Sequence, residues 1–174
     1  MAFGIGRGMT APLAVLNFIL YFISACLAGS ILNHNLDGGV GSDDPGLIGN
    51  VVTSTFLIIA LIASVVGMAS CLAGAHHLRL WRTETLAAAA ATSVIAWLLT
   101  LLAMGIACKE IHTGGYRTKR LKTLEAFMII LAFLELLYLL TTHAGSVTGE
   151  GYTNTPGNRA VKNPNYGTPA ATAV

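Results

Sequence analysis

The sequence predicts an all-α integral membrane protein, a bundle of four transmembrane helices followed by a disordered C-terminal tail. Three observations predict it. The first is composition: 54% of the 174 residues are apolar and only 10% charged, with a mean hydropathy of +0.68, whereas soluble domains carry about 25% charged residues. The second is that apolar runs long enough to cross the hydrocarbon, about 20 residues, occur four times. The third is the placement of charge, which gathers between those runs and almost never inside them. The formal net charge of +2 is small and scattered, which argues against a nucleic-acid binder.

The four predicted spans are 12–32, 48–75, 84–107 and 124–143, with residues 1–11 as an N-terminal segment and 12–143 as the transmembrane domain. The first span follows Arg7, and Cys26-Leu27-Ala28 before Gly29 loosely resembles a cleavage site. Its apolar stretch nevertheless runs a full membrane thickness, longer than the ~7–15 residues of a secretory core, so an anchored helix is expected. No glycine follows Met1 for myristoylation, and Ala171 to Val174 hold no prenylation cysteine.

The second span holds Ala63, Gly67 and Cys71 at four-residue steps, and Ser70 and Gly74 likewise. In lipid, helices associate through small residues that let backbones approach and through hydrogen bonds. The same reading assigns a packing patch to Ala25 and Gly29 on the first span and to the alanine run 87–91 on the third, the alternative for that run being a good helix former with no partner. Cys26, Cys71 and Cys108 form no CxxC pair and read as small buried hydrophobes. Glu84 and Glu125 sit where a carboxylate suits a helix N-terminus. Glu135 alone lies deep in a span.

A carboxylate near the bilayer centre costs on the order of 2.5–3.5 kcal/mol on insertion scales, so Glu135 is a candidate functional residue by its position. Two readings stand side by side: a proton or substrate site, with Tyr138 one turn on as a hydrogen-bonding neighbour, or a structural tie to a polar group such as Asn17 on the first span. Between the second and third spans, His76, His77, Arg79, Trp81 and Arg82 form a short basic loop. Adjacent histidines diverge on a helix, so no metal site is expected. The cluster suits either capture of an anion or contact with lipid phosphates, with Trp81 as an interfacial anchor. Arg117 to Lys122 form a second basic loop after Gly114-Gly115, for which membrane electrostatics is the simplest account.

After His143 the chain turns to Gly, Thr, Asn and Pro, so residues 144–174 are expected to be disordered. The string Asn163-Pro164-Asn165-Tyr166 is NPxY-like, and it reads either as an ordinary solvated turn or as the kind of turn an adaptor domain reads. Orientation is evenly balanced. Arg7, Arg79, Arg82, Arg159 and Lys162 fall on one side, and Lys109, Arg117, Lys119, Arg120 and Lys122 on the other. An even number of spans puts both termini on one side, taken as cytoplasmic. No hydrolase elbow, P-loop, dinucleotide fingerprint or HExxH occurs, so neither an enzyme nor a cofactor is expected.

Several strings resemble the AWPM-nineteen-like family of plant plasma-membrane proteins. They are Pro12-Leu13 with Leu16-Asn17, Ile48-Gly49-Asn50, Ala60 to Gly67, Leu101 to Ile111 with its Ala107-Cys108-Lys109-Glu110-Ile111 exit, and Leu121-Lys122-Thr123-Leu124-Glu125-Ala126-Phe127. The resemblance covers residues 10–142. It implies a four-span plant plasma-membrane protein induced by abscisic acid in seed maturation, drought or cold, and transport of abscisic acid into cells. Such a ligand, one carboxylate on an apolar frame, needs a cation and an apolar route. On physical grounds His76, His77, Arg79 and Arg82 would supply the cation, and Glu135 with Asn17 and Tyr138 a protonatable site. Four spans are few for a carrier within one chain, so a homo-oligomer embedded in the lipid bilayer is expected. The alternative is a non-transporting protein that stabilises the membrane or a partner under stress.

Overall fold

The computed structural model describes residues 5–38, 49–80 and 83–147. It consists of four helices: α1 (Ile5–Gly38), α2 (Thr53–Leu80), α3 (Thr83–Thr113) and α4 (Lys119–Val147). All four are long and apolar enough to cross a membrane. Each packs on two neighbours in the ring α1, α2, α3, α4 and back to α1, an up-down bundle of antiparallel pairs. The start of α1, the end of α2, the start of α3 and the end of α4 share one end of the bundle, and the other four helix termini share the opposite end.

The helices outrun the predicted spans, because an apolar run marks what lipid tolerates whereas a helix continues while its backbone ladder closes. Thus α1 starts at Ile5 and runs through Pro12, which sits eight residues into the helix and removes one ladder bond there. Residues 144–147, expected to belong to the disordered tail, continue α4. The rest of the tail and its NPxY-like string lie outside the described residues. His76, His77 and Arg79, expected in a loop, ride on the last turns of α2.

The second span corrects in the other direction. Its helix starts at Thr53 rather than at residue 48, because Asn50 caps it. Val52 N–H donates to Asn50 Oδ1 (2.8 Å), and Asn50 N–H donates to Thr53 Oγ1 (2.7 Å), a reciprocal capping arrangement that satisfies two orphan donors. Asn50 Nδ2 reaches across to the Gly114 carbonyl (2.7 Å), Gly49 N–H donates to the Tyr116 carbonyl (2.9 Å), and Thr53 Oγ1 donates to buried Glu110 on α3. Gly114 and Gly115 take φ of +73° and +106°, which only glycine adopts freely. A Cβ at Gly115 would lie in ordinary contact with Asn50, so the positive φ is what selects glycine there. Arg117 in this turn pairs with Glu125 of α4 (2.9 Å). Asn50→Ala is therefore expected to destabilise the bundle by about 1–2 kcal/mol through loss of the cap, read as a shift in unfolding midpoint in bicelles; an unchanged midpoint would assign the fastening to Thr53 and Glu110 alone.

The buried stripes of α1 and α3 are mostly small and polar, while α2 and α4 also bury Phe56, Leu57, Met128, Leu131 and Tyr138. On α1 the buried positions are Thr10, Ala14, Asn17, Tyr21, Ser24, Ala28 and Ile31; on α3 they are Ala89, Ser93, Ala96, Thr100, Ala103, Ala107 and Glu110. Steps of three and four place each set on one stripe. Large apolar side chains such as Phe22, Ile58, Leu98 and Phe133 point outward, as lipid requires. The predicted face of α2 is inward: Ala63, Gly67, Ser70, Cys71 and Gly74 are all buried. The predicted patch on α1 is displaced. A Cβ on Gly29 would meet nothing within 4 Å, and the buried line passes through Ala28 instead, one position round the helix. Of the alanine run, only Ala89 is buried and Ala87, Ala88 and Ala91 are exposed. Cys71 is buried, but Cys26 and Cys108 are exposed on the outer face, where a small thiol meets lipid as readily as protein.

Candidate functional site

Midway along the bundle, one carboxyl group gathers a side chain from each of the other three helices. Glu135 of α4 is fully buried. Asn17 Nδ2 of α1 donates to its Oε2 at 2.9 Å. Ser70 Oγ of α2 and Ser93 Oγ of α3 donate to its Oε1 at 3.3 and 3.1 Å. The lone acid expected to be costly at this depth is thus surrounded by donors, which is the condition for keeping a polar group in hydrocarbon.

The layers on either side are built differently. Toward the α1–α2 end, the Tyr21 ring lies against Gly67, and its hydroxyl hydrogen-bonds with Thr100 of α3 (2.9 Å). Toward the other end, the Tyr138 hydroxyl sits over Gly74 of α2. The expected bond from Tyr138 to Glu135 does not form. Three residues on, the Tyr138 ring has turned toward α2, and its hydroxyl is buried with no hydrogen-bond partner among the described residues. Removing an unpaired buried hydroxyl is nearly neutral, so Tyr138→Phe is expected to leave stability within about 0.5 kcal/mol in the same unfolding assay. A larger loss would show that the hydroxyl has a partner in the membrane.

The remaining candidates divide. His77 is buried, with Nδ1 2.9 Å from Thr85 Oγ1 of α3, closing the end of the bundle. It lies seven residues beyond Ser70 on α2, about 10 Å along the axis. His76 and Arg79 are exposed at that end and do not converge on Glu135. Arg82 lies outside the described residues. The structure therefore joins Asn17 and Glu135 directly, sets Tyr138 in the adjacent layer, and leaves His76 and Arg79 on the exposed face away from Glu135.

Ser70 and Ser93 emerge as site residues only here, since a serine in an apolar run reads as a small packing residue. A signal for them does exist in the spacing. Thr10, Asn17 and Ser24 recur every seven residues on α1, as do Ser70 and His77 on α2, Ser93 and Thr100 on α3, and Glu135 and Thr142 on α4. All nine are buried. Seven residues are two helical turns, so each series keeps one face, and together they line the bundle axis with hydroxyl, amide, imidazole and carboxyl groups. Such an arrangement can hold and pass a proton or present hydrogen bonds to a polar guest. The second missed group is the fastening at the opposite end, Asn50, Thr53, Glu110, Arg117 and Glu125.

Comparison with known proteins gives the family. A rice (Oryza sativa subsp. japonica) protein, "Membrane protein PM19L", is 53% identical over 146 residues, covering 84% of this chain and 83% of its own length. No solved structure matches. The AWPM-19-like family matches residues 15–145, a stretch that takes in Glu135, its three partners and the Asn50–Glu110 fastening. The strings Gly49-Asn50, Lys109-Glu110-Ile111 and Leu124-Glu125 supply Asn50, Glu110 and Glu125 of that fastening. On the strength of both matches, the chain belongs to the AWPM-19-like family.

Proposed function

We propose that this membrane protein carries abscisic acid into plant cells across the plasma membrane, as part of the response to drought, cold and seed desiccation. The observation that supports the reading is the mid-membrane carboxyl of Glu135, held by one donor from each of the other helices and continued along the axis by buried polar residues. An ionisable group at this depth is retained against a cost of several kcal/mol and marks an ion or substrate pathway. The choice of substrate comes from the family resemblance. In this reading Glu135 and Asn17 form the central site, His77 and Tyr138 lie toward the terminal end of the route, and His76, Arg79 and Arg82 meet the carboxylate at the surface. The protein acts as a carrier rather than an enzyme, and as a homo-oligomer, because four helices offer little room for a route within one copy.

The test is uptake of labelled abscisic acid into proteoliposomes, with and without an inward proton gradient, against empty liposomes that report passive entry of the neutral acid. Saturable uptake above that background is expected. Uptake equal to empty liposomes, with the protein shown to be folded, would overturn the carrier reading. One observation favours a second reading, a membrane-stabilising protein: bulky buried side chains, Tyr21, Tyr138, Met128 and Leu131, fill the layers around Glu135. That reading predicts protection of vesicles against leakage on drying, without flux.

A further inference from the structure

A groove of about 480 Å³ lies between the last two turns of α1 and the start of α4, lined by Ser30, Ile31, Asn33, His34, Asp37, Thr118, Lys119 and Arg120. It sits where two of the candidate spans, Met9–Asp37 and Lys119–His143, end, at the level of lipid headgroups. Its volume is that of a small-molecule site.

The charges in the groove are unpaired with one another. Lys119 and Arg120 are exposed. Among the described residues Arg120 makes a single long bond, from Nη1 to Ser30 Oγ at 3.4 Å, which leaves most of its guanidinium donors unused there. Asp37 accepts one bond at Oδ2 from Asn33, 2.9 Å away one turn earlier on its own helix. Among the described residues the ion pair within 4 Å is Arg117–Glu125, so neither cation of the groove closes on Asp37. His34 contributes an imidazole ring to the α1 wall. Two cations therefore stand on the α4 wall and one carboxylate on the α1 wall of a single open groove, too far apart to neutralise each other directly.

We propose that this groove binds the headgroup of an aminophospholipid, with the phosphate on Lys119 and Arg120 and the primary ammonium on Asp37. A guanidinium and an ammonium on adjacent residues suit a phosphodiester, and basic pockets between membrane helices are recurrent headgroup sites. Hydroxyls of Ser30 and Thr118 line the same space and offer further donors. Asp37 sets the selectivity. A site for anions alone gains nothing from a carboxylate in its wall, and the quaternary ammonium of a choline lipid has no N–H to donate to it. The proposal also divides the basic α3–α4 region: Arg117 belongs to the fastening with Glu125, and Lys119 and Arg120 belong to the lipid site. It requires only that the protein is embedded in a bilayer and is independent of the carrier reading.

The test is native mass spectrometry of the full chain released from liposomes containing phosphatidylethanolamine, phosphatidylcholine and phosphatidylglycerol in equal parts, counting the lipids retained. Wild type is expected to retain phosphatidylethanolamine at least about threefold over phosphatidylcholine, roughly 0.7 kcal/mol. Asp37→Asn is expected to erase that preference while retaining phosphatidylglycerol as well or better, and Lys119→Gln with Arg120→Gln to lose both lipids. Lys122→Gln, an exposed cation outside the groove, is expected to change nothing. A photoactivatable phosphatidylethanolamine should cross-link wild type within residues 30–37 and 118–120, a readout that needs no variant. Equal retention of the ethanolamine and choline lipids would overturn the proposal. So would retention of phosphatidylglycerol alone, or equal losses from Lys122→Gln and the double variant, which would mean diffuse surface electrostatics.

Discussion

Glu135→Ala is expected to lower the stability of the bundle by about 2–3 kcal/mol, and Glu135→Gln by less than about 1 kcal/mol. Alanine strands three donors at once: Asn17 Nδ2, Ser70 Oγ and Ser93 Oγ each lose their acceptor. Polar contacts between membrane helices average about 0.6 kcal/mol and reach about 1.7; three of them, with the lost packing of a buried side chain, give the larger figure. Glutamine keeps an acceptor oxygen for the serines. Its new amide donor also has a place to go, because Asn17 Oδ1 has no partner among the described residues and an amide can turn to face another amide. The measurement is unfolding in mixed micelles by increasing denaturing detergent. Equal losses for the two variants would show that charge, not hydrogen-bond capacity, holds the layer together. The same pair separates tie from carrier. Glutamine preserves the tie and removes the titratable proton, so uptake by Glu135→Gln is expected to stop responding to a proton gradient while the protein remains folded. Uptake that still follows the gradient would confine Glu135 to a structural role.

How much of this was legible beforehand follows from what each signal measures. Hydropathy measures transfer into lipid, and it located all four helices. It says little about their ends, which depend on caps and on turn geometry. Asn50 begins α2 because its side chain reaches both Val52 and Gly114, a contact across 64 residues that no local window contains. Glu135 stood out because a charge inside an apolar run is rare, and Asn17 because it is a lone amide in its span. Ser70 and Ser93 did not, since serine passes as a small packing residue, although the seven-residue recurrence of polar positions records the inner face. Tyr138 was misread for a rotational reason: three residues on a helix bring two side chains to the same side, but the ring can lean toward either neighbouring helix, and here it leans over Gly74.

The small-residue faces give the second large effect and a sharper test of the same point. Gly67→Val is expected to destabilise the bundle by about 3 kcal/mol or more, at the upper end of overpacking costs. A Cβ at Gly67 would lie 2.4 Å from two atoms of the Tyr21 ring, well inside contact distance. Tyr21 has nowhere to retreat, because it is fully buried and its hydroxyl is engaged with Thr100 on α3. The strain must therefore part α1 from α2 or break the Tyr21–Thr100 bond. Shrinking the ring should relieve it. The double variant Gly67→Val with Tyr21→Leu is expected to be more stable than the sum of the two single losses by at least about 1 kcal/mol, and strict additivity would show that the two residues do not touch. Gly29→Ala is the contrasting case. Spacing assigns Gly29 and Gly67 to the same kind of packing motif, yet a Cβ at Gly29 meets nothing within 4 Å. With no clash to offset it, the helix propensity of alanine over glycine, about 0.8–1 kcal/mol in a helix interior, should appear as a gain in stability. Two glycines alike in sequence context are thus expected to respond with opposite signs, because the sign depends on whether a neighbouring side chain already occupies the space the glycine leaves.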